Sequence, residues 1–449
     1  MHTLAQLRAG QLAGLTRLDL AEGLTEFPRE IFTLADTLEI LNLSGNQLSA
    51  LPDKLPRLHR LQVLFCSDNQ FTEVPAVLGQ CPNLSMVGFK ANQIRTLPAA
   101  ALPPALRWLI LTDNQLETLP AEIGSCRELQ KLMLAGNQLR ALPPTLANCT
   151  RLELLRIAAN QLTELPKWLL QLPRLAWLAY AGNPFARPLE AAAEARHTIG
   201  DIAWEQLTLE QQLGEGASGV ISRARWAQPN VADEDVAVKV FKGAVTSDGL
   251  PHCEMLATIK AGAHPHLVAV LGRVAGHPTG AEGLVLELID DAFGNLAGPP
   301  SLATCTRDVY APGTQFALPA ALSVARGIAA AAAHLHAQGI LHGDLYAHNI
   351  LNTAEGNALL SDFGAACFFD AEATDTAAAL QRLEVRAFGC LLEELLTHCD
   401  APAAAAAALA QLGALQERCR QPAPASRPLF AEIEHKLADI VASLPPKAA

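Results

Sequence analysis

The sequence predicts an α/β solenoid of stacked repeats followed by a separate α+β domain of two lobes. Two observations support this prediction. Asparagine recurs every 22 or 23 residues through the first part of the chain, and from Leu207 the pattern changes to strand, glycine loop and strand. A chain of 449 residues that is 50% hydrophobic and 17% charged has enough apolar material for two buried cores, which excludes an intrinsically disordered protein.

The composition also excludes several classes of protein. A net charge of −12, from 33 Lys and Arg against 45 Asp and Glu, argues against a nucleic-acid-binding surface. The ten cysteines are scattered singly, without zinc-site spacing, so neither a disulfide framework nor a structural metal is indicated. No apolar run reaches the ~18 to 20 residues of a membrane span, and the N-terminus lacks a secretory signal. We expect a cytoplasmic protein that binds neither nucleic acid nor membrane.

The first 187 residues follow a repeated frame, LxxLxLxxNxLxxLP, which one copy fills from Leu38 to Pro52. Leucines at alternating strand positions point into a shared core, and the asparagine side chain can bond the backbone of neighbouring turns. The asparagines lie at Asn46, Asn69, Asn92, Asn114, Asn137, Asn160 and Asn183. The pattern resembles the leucine-rich repeat family over about residues 12 to 187, in about eight units. The resemblance implies stacked coils and a curved parallel sheet.

The strand positions between the core leucines should be exposed on the concave face of that sheet. In this register they form an apolar row: Ile40, Val63, Phe65, Met86, Trp108, Ile110, Met133, Leu154 and Trp177. Large apolar patches that contain aromatic residues are typical of interaction sites. We therefore predict a protein partner or substrate that contacts Phe65, Trp108, Ile110, Met133 and Trp177. A register shifted by one residue, or contact with the second half of the chain, is the alternative.

Residues 188–206 are predicted to be a linker with a short helical stretch, and residues 207–445 form the second domain. Gly214, Gly216 and Gly219 open this domain with GxGxxG spacing, which lets backbone N–H groups approach phosphate oxygens. The loop leads into an apolar strand and not into a helix, which disfavours a dinucleotide-binding loop.

Charged residues then follow in a set order. Lys239 lies in VAVKVF, Glu254 on the next predicted helix, Asp344 and Asn349 in HGDLYAHN, and Asp362 in SDFG. In this order they resemble the eukaryotic-type protein kinase superfamily over residues 207–445. The resemblance implies that Lys239 pairs with Glu254 and binds ATP, that Asn349 and Asp362 hold Mg²⁺, and that Asp344 accepts the proton of the acceptor hydroxyl.

The same resemblance implies a nucleotide pocket in which Leu286 precedes the hinge. Its expected residues are Leu213, Gly214, Gly216, Gly219, Ile221, Ala237, Lys239, Glu254, Glu287, Ile289 and Leu351.

The sequence departs from the kinase pattern at the catalytic loop and after it. Gly343 replaces the usual arginine, and neither Tyr346 nor His348 is the usual cation, so we expect slow turnover. The segment after SDFG is short and lacks an Ala-Pro-Glu motif. Arg427 resembles the kinase arginine that normally pairs with the glutamate of that motif, so we expect another acidic residue to pair with it.

These observations predict an ATP- and magnesium-dependent protein kinase, with Ser/Thr acceptors favoured over Tyr, whose repeats recruit a partner or substrate. Two alternatives stay open. The protein is a catalytically weak or inactive ATP-binding scaffold, or it is a small-molecule kinase, because HGDxxxxN also resembles the catalytic loop of aminoglycoside and choline kinase-like enzymes.

Overall fold

The structure is a computed structural model that describes residues 2–196, 199–216, 218–228, 232–243, 245–402 and 405–444. Its contacts divide the chain into two compact units. The first comprises Met1–Leu172 and Asn183–Phe185, and the second comprises Pro173–Gly182 and the chain from Ala186 onward. The expected boundary at residue 187 differs from this division, because the stretch 173–182 carries the repeat pattern in sequence but belongs to the second unit by its contacts.

The first unit is a ladder of three-residue parallel strands. Each strand pairs with the next one repeat further along the chain, as Ile40 does with Val63 and Val63 with Met86. A short helix, α1 (Leu4–Arg8), precedes the ladder, and 3₁₀ turns such as Ala121–Ser125 follow the strands. The strands are β1 (Arg17–Asp19), β2 (Ile40–Asn42), β3 (Val63–Phe65), β4 (Met86–Gly88), β5 (Trp108–Ile110), β6 (Lys131–Met133) and β7 (Leu154–Arg156). The predicted solenoid of stacked coils is confirmed.

The repeated asparagines are structural, as their spacing predicted. Asn114 is buried and donates from Nδ2 to the carbonyl oxygens of Phe89 (2.8 Å) and Leu111 (3.1 Å), while its Oδ1 accepts the N–H of Ile94 at 3.0 Å. Asn137 repeats the arrangement one coil later. Each asparagine therefore satisfies backbone groups of adjacent coils where the strand ends.

The apolar row predicted on the concave face is less exposed than expected. Val63, Met86, Met133, Leu154 and Trp177 are buried, whereas Ile40, Phe65, Trp108 and Ile110 are half-buried. Strands in register lie only about 4.8 Å apart, so large side chains in neighbouring rows cover one another. The prediction that Met133 and Trp177 are exposed contacts is wrong.

The second unit begins with a single repeat-like strand and a helix, and then builds a six-stranded sheet. The repeat-like strand is β8 (Trp177–Ala179), and the helix is α2 (Arg187–Arg196). The sheet strands are β9 (Asp201–Ala203), β10 (Leu207–Glu215), β11 (Gly219–Trp226), β12 (Glu234–Phe241), β13 (Val270–Ala275) and β14 (Gly283–Glu287). They lie in the order β10-β11-β12-β14-β13-β9. The end of the predicted linker thus belongs to the sheet, because β9 pairs in parallel with β13.

One helix packs on this sheet and four more form the rest of the second unit. Met255 and Ile259 on α3 (Pro251–Ala261) cluster with Phe241 and Leu284 of the sheet. The others are α4 (Leu318–Ala337), α5 (Thr374–Thr397), α6 (Ala406–Cys419) and α7 (Phe430–Ala442). Short strands connect them: β15 (Gly294–Asn295), β16 (Phe316–Ala317), β17 (Ile340–Leu341), β18 (Ile350–Asn352), β19 (Ala358–Leu360), β20 (Cys367–Phe368) and β21 (Cys399–Asp400).

Within the described residues, α4 is long and apolar enough to cross a membrane by length and composition. Of its most apolar window, 67% is buried inside the structure. That burial is typical of a core helix, so α4 is weak evidence for a membrane span.

Glu394 of α5 lies in a half-buried cluster of charged residues. The Glu394 carboxylate lies 3.3 Å from the Arg307 guanidinium and accepts the Tyr310 hydroxyl at 3.3 Å. Burial raises the pKa of Glu394 to about 7; Arg307 opposes the shift, and the charges of Asp308 and Glu393 add to it. The charge of Arg307 therefore does not offset the effect of burial on the pKa of Glu394, because the carboxylates of Asp308 and Glu393 lie nearby.

Candidate active site

Lys239 and Glu254 form an ion pair between the sheet and α3. Lys239 is the sixth residue of β12, and Glu254 lies in the first turn of α3. Lys239 Nζ contacts Glu254 Oε1, and the two side chains are 12% and 3% exposed. Burial raises the pKa of Glu254. The charge of Lys239 reduces this upward shift, and the nearby charge of Asp362 adds to it. The predicted lysine–glutamate pair is thus formed, within electrostatic reach of Asp362.

The turn at Asp362 lies beside this pair. Asp362 adopts a φ of 57°, a left-handed conformation that aspartate tolerates better than most residues. Its Oδ1 accepts the N–H of Gly364 at 3.1 Å. A Cβ atom on Gly364 would lie 3.7 Å from Glu254 Oε2, so the turn and the ion pair are close neighbours.

The loop that carries Asp344 and Asn349 is joined to the same turn. Asn349 Nδ2 donates to Asp344 Oδ2 at 2.8 Å and to its backbone oxygen at 3.0 Å. Ser361, which precedes Asp362, donates from both its N–H and its hydroxyl to the Asn349 carbonyl at 2.9 Å. The structure therefore brings Lys239, Asn349 and Asp362 into one site, with Asp344 in it.

The donors in this site suit a small hard cation. With its amide nitrogen bonded to Asp344, Asn349 has its side-chain oxygen left to bind a cation, and its backbone carbonyl is bonded to Ser361, the residue before Asp362. Mg²⁺ favours such a sparse set, since it keeps several waters. No group of three or more His, Cys, Asp and Glu side chains in the described part of the chain is arranged to hold a metal ion, so no denser metal site competes.

The glycine loop and the predicted nucleotide pocket lie on neighbouring strands. A Cβ on Gly219 would stand 2.5 Å from the Val240 carbonyl oxygen, so β11 and β12 approach too closely there for any other residue. Gly214 and Gly216 face open space. In the sheet, Ile221 lies opposite Lys239, and Ala237 lies opposite Leu286.

Exposure varies among the other expected pocket residues. Ala237 is buried, and Ile221, Ile289 and Leu351 are half-buried. Leu213 is 47% exposed, and the Glu287 side chain is exposed too.

Glu384 is a residue whose contacts the sequence did not predict. It is 1% exposed, and its Oε1 accepts the Gly343 N–H at 2.8 Å while Oε2 lies 2.7 Å from His336 Nε2. Burial raises the pKa of Glu384, but the hydrogen bond and charge of His336, the charge of His342 and the Gly343 N–H outweigh it, so the pKa is lowered. An anion on α5 therefore holds the backbone directly before Asp344.

Asp308 was also not identified from the sequence. Its Oδ2 accepts the backbone N–H of His348 at 3.0 Å, and its Oδ1 lies 2.7 Å from His348 Nδ1. Burial lowers the pKa of His348, but Asp308, Asp344 and Asp362 raise it overall. These anions shift the equilibrium of His348 toward the protonated imidazole. Asp308 and His348 lie 40 positions apart, so no short motif reveals the contact.

Steric crowding explains why residue 343 is a glycine. Its φ is +75°, and a Cβ there would lie 2.5 Å from the Ala365 oxygen and 2.7 Å from the Leu178 oxygen of β8. The arginine that the kinase pattern expects at this position cannot be accommodated.

Arg427 does not pair with an acidic residue, so that expectation is wrong. Its guanidinium donates to three backbone carbonyls, those of Gln421 (2.9 Å), Arg382 (3.0 Å) and Pro173 (2.8 Å). Burial, followed by the charge of Arg386, lowers the pKa of Arg427 to about 9, so it stays charged at neutral pH. Carbonyl dipoles take the place of a carboxylate here.

Residues 207–386 match the family model of protein tyrosine and serine/threonine kinases, and residues 37–58 match that of the leucine-rich repeat. The chain carries leucine-rich repeats followed by a protein kinase domain. The predicted fold class, a repeat solenoid followed by a protein-kinase-like domain, is thereby confirmed.

Similar proteins include kinases of both acceptor types. CBL-interacting protein kinase 22 of Oryza sativa subsp. japonica is 31% identical over 43% of this chain and 41% of its own length. Serine/threonine-protein kinase PkaA of Streptomyces coelicolor is 34% identical over 36% of this chain and 30% of its own length. Human non-receptor tyrosine-protein kinase TNK1 is 27% identical over 34% of this chain and 22% of its own length. The chain thus spans less than half the length of these relatives, and the similarity amounts to about one domain.

Proposed function

We propose that the protein is an ATP- and magnesium-dependent protein kinase that phosphorylates serine or threonine, and that its repeats recruit a partner or substrate. The observation that carries the catalytic proposal is the convergence of the Lys239–Glu254 pair, the Asp362 turn and the Asn349–Asp344 hydrogen bond in one kinase domain. Phosphoryl transfer requires mainly positioning and charge neutralisation, and these groups offer both.

Each residue has a defined task in this proposal. Lys239, oriented by Glu254, binds phosphate oxygens of ATP, and Asn349 and Asp362 hold Mg²⁺. The metal supplies charge neutralisation on the phosphates. Asp344 accepts the proton of the acceptor hydroxyl. At the same time the hydroxyl oxygen bonds to the terminal phosphorus of ATP, and the bond between that phosphorus and ADP breaks. The Asn349 amide holds the Asp344 carboxylate in place for this proton transfer.

The test is transfer of labelled phosphate from ATP by the full chain, both to itself and to a degenerate serine/threonine peptide library. Lys239→Met and Asp344→Asn should each lower transfer by at least about 100-fold. Lys167→Met and Asp375→Asn are matched controls, because Lys167 is exposed in the 3₁₀ turn Lys167–Gln171 of the first unit and Asp375 is exposed in the first turn of α5. Both controls should keep wild-type activity. Phosphoamino-acid analysis of the product identifies the acceptor.

The alternative functions give different results in the same assay. An inactive scaffold would gain thermal stability with Mg-ATP but transfer nothing. A small-molecule kinase would consume ATP with a panel of amino alcohols and leave the peptides unlabelled. Transfer that survives Asp344→Asn would refute the assigned role of this carboxylate.

We also propose that a protein partner binds the half-buried apolar residues on the strands of the first unit. The Phe65 ring lies over Gly88, where a Cβ would come within 2.7 Å of it and within 3.7 Å of Ile110, so Phe65 and Ile110 flank one apolar surface. Phe65→Glu with Ile110→Glu should abolish co-purification of the partner and leave the thermal unfolding midpoint within a few degrees of wild type. Loss of folding would mean that these side chains belong to the core.

A cytoplasmic location fits the ten cysteines, which are mostly buried and form no disulfide in the described part of the chain, because thiols stay reduced in that compartment. Cell fractionation tests this proposal, and recovery of the protein in a membrane or secreted fraction would refute it.

A further inference from the structure

The segment 173–180 carries the repeat pattern in sequence but is built into the kinase domain by its contacts. The Trp177 ring stacks on Tyr346 with 4.1 Å between ring centroids and 7° between planes. Its indole N–H donates to the Leu345 carbonyl at 3.0 Å. Trp177 is 1% exposed and Tyr346 is 4% exposed, so the pair is closed to solvent.

A second aromatic residue of the segment contacts the strand that follows the Asp362 turn. The Tyr180 hydroxyl donates to the Phe368 carbonyl at 3.1 Å, and the Tyr180 backbone N–H donates to Cys367 Sγ at 3.0 Å. Cys367 and Phe368 form β20, which pairs with β17 (Ile340–Leu341), the strand that leads into the catalytic loop. Tyr180 therefore braces the loop from the strand pair at its base.

Backbone contacts hold the segment in the same place. The Leu178 carbonyl oxygen lies against Gly343, where a Cβ would meet it at 2.7 Å. At the start of the segment, Arg427 donates to the Pro173 carbonyl at 2.8 Å, and Arg386 donates to the Arg174 carbonyl at 2.9 Å. Both arginines are buried, so these bonds are shielded from water.

These contacts surround Asp344 along the chain. Leu178 touches the residue before it, and Trp177 touches the two residues after it. We infer that Trp177 and Tyr180 are positioning residues for phosphoryl transfer: they hold the loop 343–346 so that the Asp344 carboxylate faces the acceptor hydroxyl. The inference rests on the proposed kinase function, and it gives the last repeat-like strand a task inside the catalytic domain.

The first test compares kcat and KM of full-chain variants with Mg-ATP and the serine/threonine peptide library. Trp177→Leu keeps an apolar side chain but loses the stacking plane and the N–H donor, so kcat should fall by about 10- to 100-fold while KM for ATP stays within about 2-fold. Trp177→Phe keeps an aromatic ring and should recover most of the lost kcat. Tyr180→Phe, which loses only the hydroxyl bond to Phe368, should lower kcat by about 3- to 10-fold.

Trp168→Leu is the matched control, because Trp168 is half-buried in the 3₁₀ turn Lys167–Gln171 of the first unit. It should leave kcat and KM unchanged. An unchanged kcat in Trp177→Leu overturns the inference, and a raised kcat does so too, because it would make the segment an inhibitory cover.

A second readout does not depend on catalysis. Hydrogen exchange of the amides in residues 343–349 should be at least about 10-fold faster in Trp177→Leu and near wild type in Trp177→Phe. If wild type transfers no phosphate, the proposed function fails, and exchange alone decides whether the segment orders the loop. If Trp177→Leu does not fold, exchange and kcat of Trp177→Phe and Tyr180→Phe decide. Unchanged exchange together with unchanged kcat in these variants refutes the positioning role.

Discussion

Replacing Gly343 with alanine measures how tightly β8 and the catalytic loop pack. The new Cβ would meet the carbonyl oxygens of Ala365 at 2.5 Å and Leu178 at 2.7 Å, closer than real Cβ atoms approach. Backbone oxygens cannot rotate away, so the loop or the strand must move, which costs about 1 to 3 kcal/mol. The left-handed φ of +75° adds about 1 kcal/mol for a residue with a side chain. The free energy of unfolding of the second unit should therefore fall by about 2 to 4 kcal/mol.

Gly313→Ala separates the two contributions. Gly313 has a φ of +81°, and nothing lies within 4 Å of its added Cβ, so this variant should lose only the conformational contribution of about 1 kcal/mol. The measurement is hydrogen exchange of the α4 amides as a function of urea, which reports on the second unit alone. Equal losses in the two variants would refute the close approach of Leu178 and Ala365 to Gly343.

Three further changes test buried polar groups. Glu384→Gln should make the stability of the second unit less sensitive to acid. The pKa of Glu384 is lowered, so the stabilisation that its carboxylate provides is present above its ordinary pKa of 4.5 and is lost as pH falls through the pKa in the folded protein. An unchanged midpoint of acid unfolding contradicts this. Glu394→Gln should change the pH dependence of stability near neutral pH. Because the pKa of Glu394 is raised to about 7, the free energy of unfolding of wild type should fall by about 3 kcal/mol as pH rises from the ordinary pKa of 4.5 through 7, which urea unfolding at several pH values measures. The same dependence of the free energy of unfolding on pH in the variant refutes it. Asn114→Ala should cost the first unit about 2 to 4 kcal/mol in thermal or urea unfolding, because buried backbone groups lose their partners, while Asn83→Ala, exposed with one bond to His59, should cost under about 1 kcal/mol; equal costs would contradict the structural role of Asn114.

The parts of the fold that sequence reasoning predicted are those with a local or periodic signal. The asparagine ladder follows from spacing alone, since every coil meets the same neighbour in the same way. The order of Lys239, Glu254, Asp344, Asn349 and Asp362 predicted which side chains would meet, because short motifs at strand ends and turns hold their residues in a set geometry.

The exposure of the apolar row could not be predicted in the same way. Alternation along a strand shows which residues point away from the repeat core, but it does not show what covers them. Phe65 and Ile110 stay half-buried, whereas Trp177 lies under Tyr346, a residue 169 positions later in the chain.

The same limit applies to the partners of buried charges. Arg427 was expected to find a carboxylate, and it binds carbonyls from three separate parts of the chain instead. The sequence predicted neither the contact of Asp308 with His348 nor that of Glu384 with Gly343.

By itself, the sequence determined the repeat, the order of the kinase motifs and the residues that could bind nucleotide and metal. Only the tertiary structure decided that residues 173–182 belong to the second unit, and that Gly343 is small because Leu178 and Ala365 press against it. The physical reason is that repeats and motifs are set by neighbours along the chain, whereas the contacts of Trp177, Leu178 and Tyr180 join residues more than 160 positions apart, and packing and excluded volume select them only once the chain has folded.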